Sequence, residues 1–360
     1  MATDRRSVPQ SSRRALLEAA ETQRRLCRNG GSPTYVALID ELSSQLIRGV
    51  GPGQDILMSF DGDPTRSALI LRLLAAVNRV VQEDPRAELR RWYPTLGGAV
   101  CPARAVEAFR RELEAHGDQI RANTSHSVQT NEVGRSAPLS AAMHYVARVT
   151  GLPFQLRELG ASAGVNLFFD RYCVECADTG WGDPASQVRL TGNFETGSPP
   201  PPPALLEIAD RAGCDLSPLD ASCPDTLRLL SSFIWPEQTL RLKLLRGALS
   251  LTDSGVVERA DVIEWLTRAL ASHRSGHTMV IFHSVVTTYF TDEQLAAMSS
   301  IMEPALDSAT AGRPVAWISL EPDEEFTGLE LSVAIGPYHE RKVLATCTPH
   351  GRRVRWLGPR

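Results

Sequence analysis

The residues of this chain with the most evident chemistry lie between Phe154 and Asn166. A short apolar run ends in the acid Glu158 and Leu159. Gly160, Ala161, Ser162, Ala163 and Gly164 follow, two glycines four apart with only small residues between them. A second apolar segment starts at Val165 and runs through Asn166. This order predicts a strand, a tight glycine loop and a helix over 165–171. At such a place an α/β sheet turns backbone N–H groups and a helix N-terminus toward a ligand. Two ligands are excluded by spacing. A dinucleotide fingerprint needs G-x-G-x-x-G, and the middle glycine is missing. A phosphate loop needs Gly-Lys-Ser/Thr, and there is no lysine. A strand-to-helix turn that holds no ligand is the remaining structural alternative.

Other residues of this kind sit at predicted strand ends. A dinucleotide-type sheet places an acid about 20 residues beyond the first strand, for ribose hydroxyls. Asp178 lies at that distance from Glu158, and Glu175 is the other choice. Asp261 ends a predicted strand over 256–260 and also suits the cap of the helix after it. His283 and Ser284 end the apolar run 278–282. An imidazole there suits a general base, because it is poised near neutral pH. The polar stretch Gln129 to Ser136 precedes a helix. Thr130, Asn131 or Ser136 suits its cap, and the Arg135 fork suits a carboxylate. Glu132, Ser284 and Trp235 are assigned to substrate contact, although core packing also explains Trp235. Cys173 and Cys176 form a C-x-x-C, but Cys214 and Cys223 are not at zinc-like spacing, so no metal is expected.

The elements that position these residues fall into two groups. Residues 1–130 read as a helical region, with helices over 12–27, 33–47 and 103–116. Another long helix is expected to open at Asp63-Pro64, with Asp63 as cap and Pro64 in the first turn. From 131 to 360 strands and helices alternate, the pattern of a parallel sheet with crossover helices. Strands are expected over 154–159, 172–177, 187–190, 256–260, 278–282, 315–320, 329–335, 343–348 and 354–357. The proline run 199–203 reads as a stiff connection, with a helix over 204–212 beyond it. The fold class is therefore α/β. It is expected to be a Rossmann-like sheet with helices on both faces, preceded by a helical cap region.

Bulk numbers narrow the function. At 360 residues and 42% hydrophobic content the chain supports roughly two domains at about 150 residues each. A net charge of -4 argues against a protein that binds nucleic acid by neutralising phosphates. No apolar run reaches membrane-span length. Seven cysteines, an odd number spread over a long chain, point to a reducing cytoplasm.

The spacing Glu158-x-Gly160-x-x-x-Gly164 resembles the first motif of class I S-adenosylmethionine-dependent methyltransferases. That resemblance implies S-adenosylmethionine as cofactor, with Glu158 steering its amino group directly or through water. It also places Asp261 near the adenine amino group and His283 and Ser284 between cofactor and acceptor. The Asp/Asn-Pro-Pro-Tyr motif of nucleic-acid and glutamine N-methyltransferases is absent, so a small-molecule acceptor is expected.

More of the chain resembles an uncharacterised, mainly actinobacterial family, domain of unknown function 2332. The matching stretches are Arg91 to Gly98, Gln129 to Arg135, Glu158 to Asn166, Asp170 to Tyr172, Trp181 to Pro184, Trp235 to Gln238, Phe282 to Val286 and Pro349 to Gly351. Three functions stay open: a small-molecule methyltransferase, the same sheet with another ligand or reaction, and a non-enzymatic regulatory protein.

Overall fold

The computed structural model describes residues 12–129, 131–176, 179–323 and 327–359. They divide into two compact units: 1–130 with 228–242, and 131–227 with 243–360.

The first unit is helical. It holds α1 (Arg13–Asn29), α2 (Pro33–Arg48), α3 (Pro52–Met58), α4 (Leu69–Glu83) and α5 (Pro102–Asn123). Leu16, Leu38, Leu42, Leu73, Val77 and Phe109 form its core. The long helix does not open at Asp63. That carboxylate caps only a turn, through the Thr65 and Arg66 N–H groups, and α4 starts at Leu69 after Ala68 at φ +50°. The segment 228–242 is stitched into this unit by polar contacts. Asn78 donates to the Ser232 carbonyl at 3.0 Å. The Glu237 carboxylate accepts from the Ser32 hydroxyl at 2.5 Å and the Thr34 N–H at 2.9 Å, so it closes the N-terminus of α2. Thr95 N–H donates to the Pro236 carbonyl. Trp235 is buried in the same core, and packing rather than substrate contact accounts for it.

The second unit is built on a sheet. In chain order it contains α6 (Ser136–Thr150), β1 (Phe154–Leu159), β2 (Cys173–Cys176), β3 (Thr179–Trp181), β4 (Arg189–Thr191) and β5 (Ile208–Asp215). The helices α7 (Pro224–Ser232) and α8 (Thr239–Leu251) come next, partly within 228–242. They are followed by β6 (Val257–Arg259), α9 (Val262–Ala271), β7 (Thr278–Ser284), α10 (Asp292–Asp307), β8 (Val315–Pro322), β9 (Leu329–Gly336), β10 (Glu340–Cys347) and β11 (Arg355–Trp356). The main sheet runs β11-β10-β9-β8-β7-β1-β5-β6. From β6 to β8 every pairing is parallel, and from β8 to β11 every pairing is antiparallel.

Numbered along the chain, the five parallel strands lie in the order 3-2-1-4-5. The chain therefore leaves β1 toward one side and returns to the other side at β7. Such a reversal opens a crevice beyond the carboxyl ends of the two central strands. All six residues of β1 are buried, as expected of a strand with neighbours on both edges. Leu159, Ile281, Trp265, Leu266, Met298 and Met302 form the core beneath α9 and α10.

Two expectations fail here for tertiary reasons. Residues 204–212 are not helical. The five prolines before them donate no N–H groups, and 208–215 pairs with β1 as β5. Helix-forming alanines yield to a place in the sheet. The weak strand near 172–177 does form, but as β2 in a separate sheet ordered β3-β2-β4. It therefore cannot serve as the main sheet's second strand.

Candidate functional site

β1 delivers Glu158 to the floor of the crevice. Its side chain is 3% exposed, and burial pushes its carboxyl well above the usual carboxylate range. Asn166 bonds to it and pulls the other way, and Asn166 is itself held by the Ser136 hydroxyl at 2.8 Å. One carboxyl oxygen, Oε2, has no hydrogen-bond partner among the described residues. A buried polar atom of this kind costs about 1–3 kcal/mol, which a ligand donor would recover.

The glycine loop alternates in hand, with φ of +68° at Gly160, +53° at Ser162 and +77° at Gly164. Gly160 is also required by contact, because a Cβ would come within 2.4 Å of the Val286 side chain. The N–H groups of residues 161–164 are all engaged within the protein. Ala161 donates to the Cys214 carbonyl, Ser162 to Asp215 Oδ2 at 2.9 Å, Ala163 to Asn131 Oδ1 at 3.2 Å and Gly164 to the Ala161 carbonyl. The loop thus presents no row of amides for a phosphate. Beyond it, 165–171 is a kinked 3-10 turn rather than an α-helix, so this segment brings no α-helix N-terminus to the loop.

Asp215 is the acid that sequence reasoning missed. It ends β5, the strand beside β1, and its two oxygens accept from Ser162 N–H and Ser217 N–H. Each oxygen keeps a second lone pair. An interval of about 20 residues does not reach it, because the turn, the small sheet and the proline run all intervene between the two strands. Gly213-Cys214-Asp215, an acid closing a run before Leu-Ser-Pro, was the available signal. Asp178 lies outside the described residues. Glu175 is exposed in the small sheet and paired with Arg189. Asp261 follows β6, two strands from β1, and its carboxylate caps α9 through Ile263 N–H at 2.9 Å and Glu264 N–H at 3.4 Å.

On the other side of β1, β7 ends in His283 and Ser284. His283 is 1% exposed. Its Nδ1 meets Glu321 Oε1 at 2.6 Å, and its Nε2 lies 3.0 Å from the Trp317 indole nitrogen. An indole N–H only donates, so Nε2 accepts and Nδ1 carries the proton to Glu321. Both nitrogens are therefore engaged, and the general-base role expected of His283 does not fit this geometry. Burial raises the Glu321 carboxyl, but His283, the Thr287 hydroxyl and the Val286 N–H outweigh it and leave it below the usual range. The same contacts hold Val285 at φ +53°, a conformation rare for a β-branched residue. Asn131 at +28° and Ser162 at +53° bring the strained non-glycine positions at this edge to three.

A third wall comes from 131–135. Arg135 is 7% exposed, and its guanidinium donates to the Pro349 carbonyl at 3.0 Å and the Ser284 carbonyl at 3.4 Å. Ser284 thus contributes its backbone, as an anchor for Arg135. Glu132 is 4% exposed; it accepts from Gly134 N–H and from His350 Nδ1 at 2.9 Å. The crevice therefore gathers Glu158, Gly160, Ala161, Ser162, Gly164, Asn166, Arg135, Glu132 and Ser284. Among the described residues no cluster of His, Cys, Asp or Glu is arranged for a metal, and no helix is long and apolar enough to cross a membrane.

A comparison with curated proteins finds no match. A family model does match, over residues 17–356, and the chain accordingly belongs to the family described as uncharacterized protein conserved in bacteria, DUF2332.

Proposed function

We propose that the sheet unit binds S-adenosylmethionine at the carboxyl ends of β1, β5 and β7 and methylates a small-molecule acceptor. The observation that carries this reading is the buried, unpartnered Glu158 oxygen at the end of the central strand. It stands beside a tight loop with left-handed backbone at Gly160, Ser162 and Gly164. A cationic amino group donating to Glu158 would satisfy the orphan and stabilise its ionised form. Asp215, on the adjacent strand, has lone pairs suited to ribose hydroxyls. The strand order 3-2-1-4-5 resembles the Rossmann order, which adds support by analogy of fold. Methyl transfer needs little beyond an aligned donor and acceptor, so positioning would supply most of the rate.

Calorimetric titration of the full chain with S-adenosylmethionine and S-adenosylhomocysteine tests the reading. Binding of either is expected, and Gly160→Arg abolishes it because the side chain collides with Val286 and fills the loop. No heat from either ligand at about 1 mM contradicts the proposal. A second reading keeps the crevice but changes the ligand. The committed loop amides and the 3-10 turn favour it, since both depart from a helix-led cofactor cradle. Mass spectrometry of a small molecule carried through purification separates the two.

A further inference from the structure

We infer that the crevice is a receptor for an α-amino acid end group, with Glu158 taking its ammonium and the Asn131 side-chain amide its carboxylate. The inference deepens the methyl-transfer reading above and rests on it for the rest of the ligand. Four buried side-chain atoms among the described residues of the sheet unit have no hydrogen-bond partner: Asn131 Nδ2, Glu158 Oε2, Asn193 Oδ1 and Thr278 Oγ1. Thr278 begins β7 and so lies at the opposite edge of the sheet from the crevice. The other three belong to the crevice side. Glu158 stands near the end of β1, Asn131 holds the glycine loop through Ala163, and Asn193 holds the Gly134 and Gly351 carbonyls. Of these three atoms two are oxygens, and Asn131 Nδ2 is the one nitrogen, with two N–H groups to donate.

The orientation of the Asn131 amide is fixed by its surroundings. Its Oδ1 accepts from the Ala163 N–H at 3.2 Å, which only the oxygen can do, so the nitrogen is the atom left over. The backbone there has φ +28°, on the left-handed side that asparagine tolerates better than most residues. Segment 131–136 is sewn to 158–166 at two points. One is Asn131 to Ala163; the other is the Ser136 hydroxyl to Asn166 Oδ1 at 2.8 Å, and Asn166 in turn bonds Glu158. The two orphan atoms therefore belong to the two sides of one seam. Each asks for the opposite kind of group: Glu158 for a cation with N–H donors, Asn131 for an oxygen acceptor. An ammonium and a carboxylate carried on a single carbon supply both. The Arg135 charge, which acts on the Glu158 carboxyl, adds positive potential to the same seam and favours an anion in it. A ligand with an amine but no carboxylate satisfies Glu158 and leaves Asn131 as it is, so Asn131 is the residue that reads the carboxylate. This chemistry has two sources, the methionine end of S-adenosylmethionine or a free amino acid.

Calorimetric titration of the full chain with S-adenosylmethionine, decarboxylated S-adenosylmethionine and free L-methionine tests the inference, with Asn131→Asp beside the wild type. The aspartate keeps an oxygen for the Ala163 N–H and puts an anion where the donor was. The wild type is expected to bind S-adenosylmethionine about tenfold or more tightly than the decarboxylated form. Asn131→Asp is expected to lose about tenfold or more for S-adenosylmethionine, because its carboxylate now meets a like charge. The decarboxylated form is expected to bind the variant at least as tightly as the wild type, which also shows that the site is intact. Asn131→Ala, which adds no charge, shows the same discrimination with a smaller loss. Equal wild-type affinity for the two adenosyl ligands, or an equal loss of both in Asn131→Asp, overturns the role of Asn131 and leaves the cofactor reading standing. Should neither adenosyl ligand bind, the cofactor reading fails and L-methionine decides. Binding of L-methionine that Asn131→Asp abolishes upholds the amino acid receptor; no binding, or binding that the variant retains, overturns it too.

Discussion

His283 and Glu321 come from the paired parallel strands β7 and β8, 38 residues apart in the chain; Glu132 and His350 come from segments 218 residues apart. The two pairs have similar separations, 2.6 and 2.9 Å, and stand on the same sheet edge. Their surroundings differ. His283 has a second partner in Trp317 and almost no exposure, while the His350 side chain is about one-third exposed. A histidine beside a carboxylate is therefore not by itself a mark of catalysis. Access to solvent decides whether the proton can move.

The largest effect that would break this contrast is on stability. Glu321→Ala removes the acceptor for His283, the Thr287 hydroxyl and two backbone N–H groups. It should destabilise the fold by about 3–5 kcal/mol in urea titration. Because the folded Glu321 carboxyl is held below its unfolded value, its contribution is complete above the unfolded pKa and is lost as pH falls through the folded one. A wild-type-like midpoint for this variant would show that the lock is not structural. Next in size is Asp215→Asn. Losing charge at the loop should weaken S-adenosylhomocysteine by about 1.5–3 kcal/mol, read by calorimetry, with little change in fold. The smallest effect belongs to Asp261→Ala. It should cost about 1 kcal/mol of stability as a lost cap and leave ligand affinity unchanged. A fall in affinity would return Asp261 to the adenine side of the site.

How far the sequence could be read follows the same physics. Apolar strands such as Thr278–Ser284 and Val315–Pro322 announce themselves by composition, and Glu158 with its glycines by spacing. β5 did not, because its alanines favour a helix until pairing with β1 overrides them. Asp215 was hidden with it, since a fixed interval of about 20 residues fails once a small sheet is inserted. His283 was visible as a strand-end histidine, but its indole neighbour on β8 was not. Glu132 reads as a substrate contact, while its carboxylate also meets His350 Nδ1, and no local pattern links the two. Trp235 likewise reads as a pocket wall until 228–242 is seen to belong to the helical core.

The central claim is that Glu158 is kept buried and unsatisfied for a ligand. Titration calorimetry with S-adenosylhomocysteine, comparing the wild-type chain with Glu158→Gln, tests it most directly. The account predicts that the wild type binds and that the variant loses about tenfold or more in affinity, since a neutral amide offers the ligand's cationic amino group a hydrogen bond but no ion pair. Equal affinity in the two proteins, or no binding by the wild type, would contradict it.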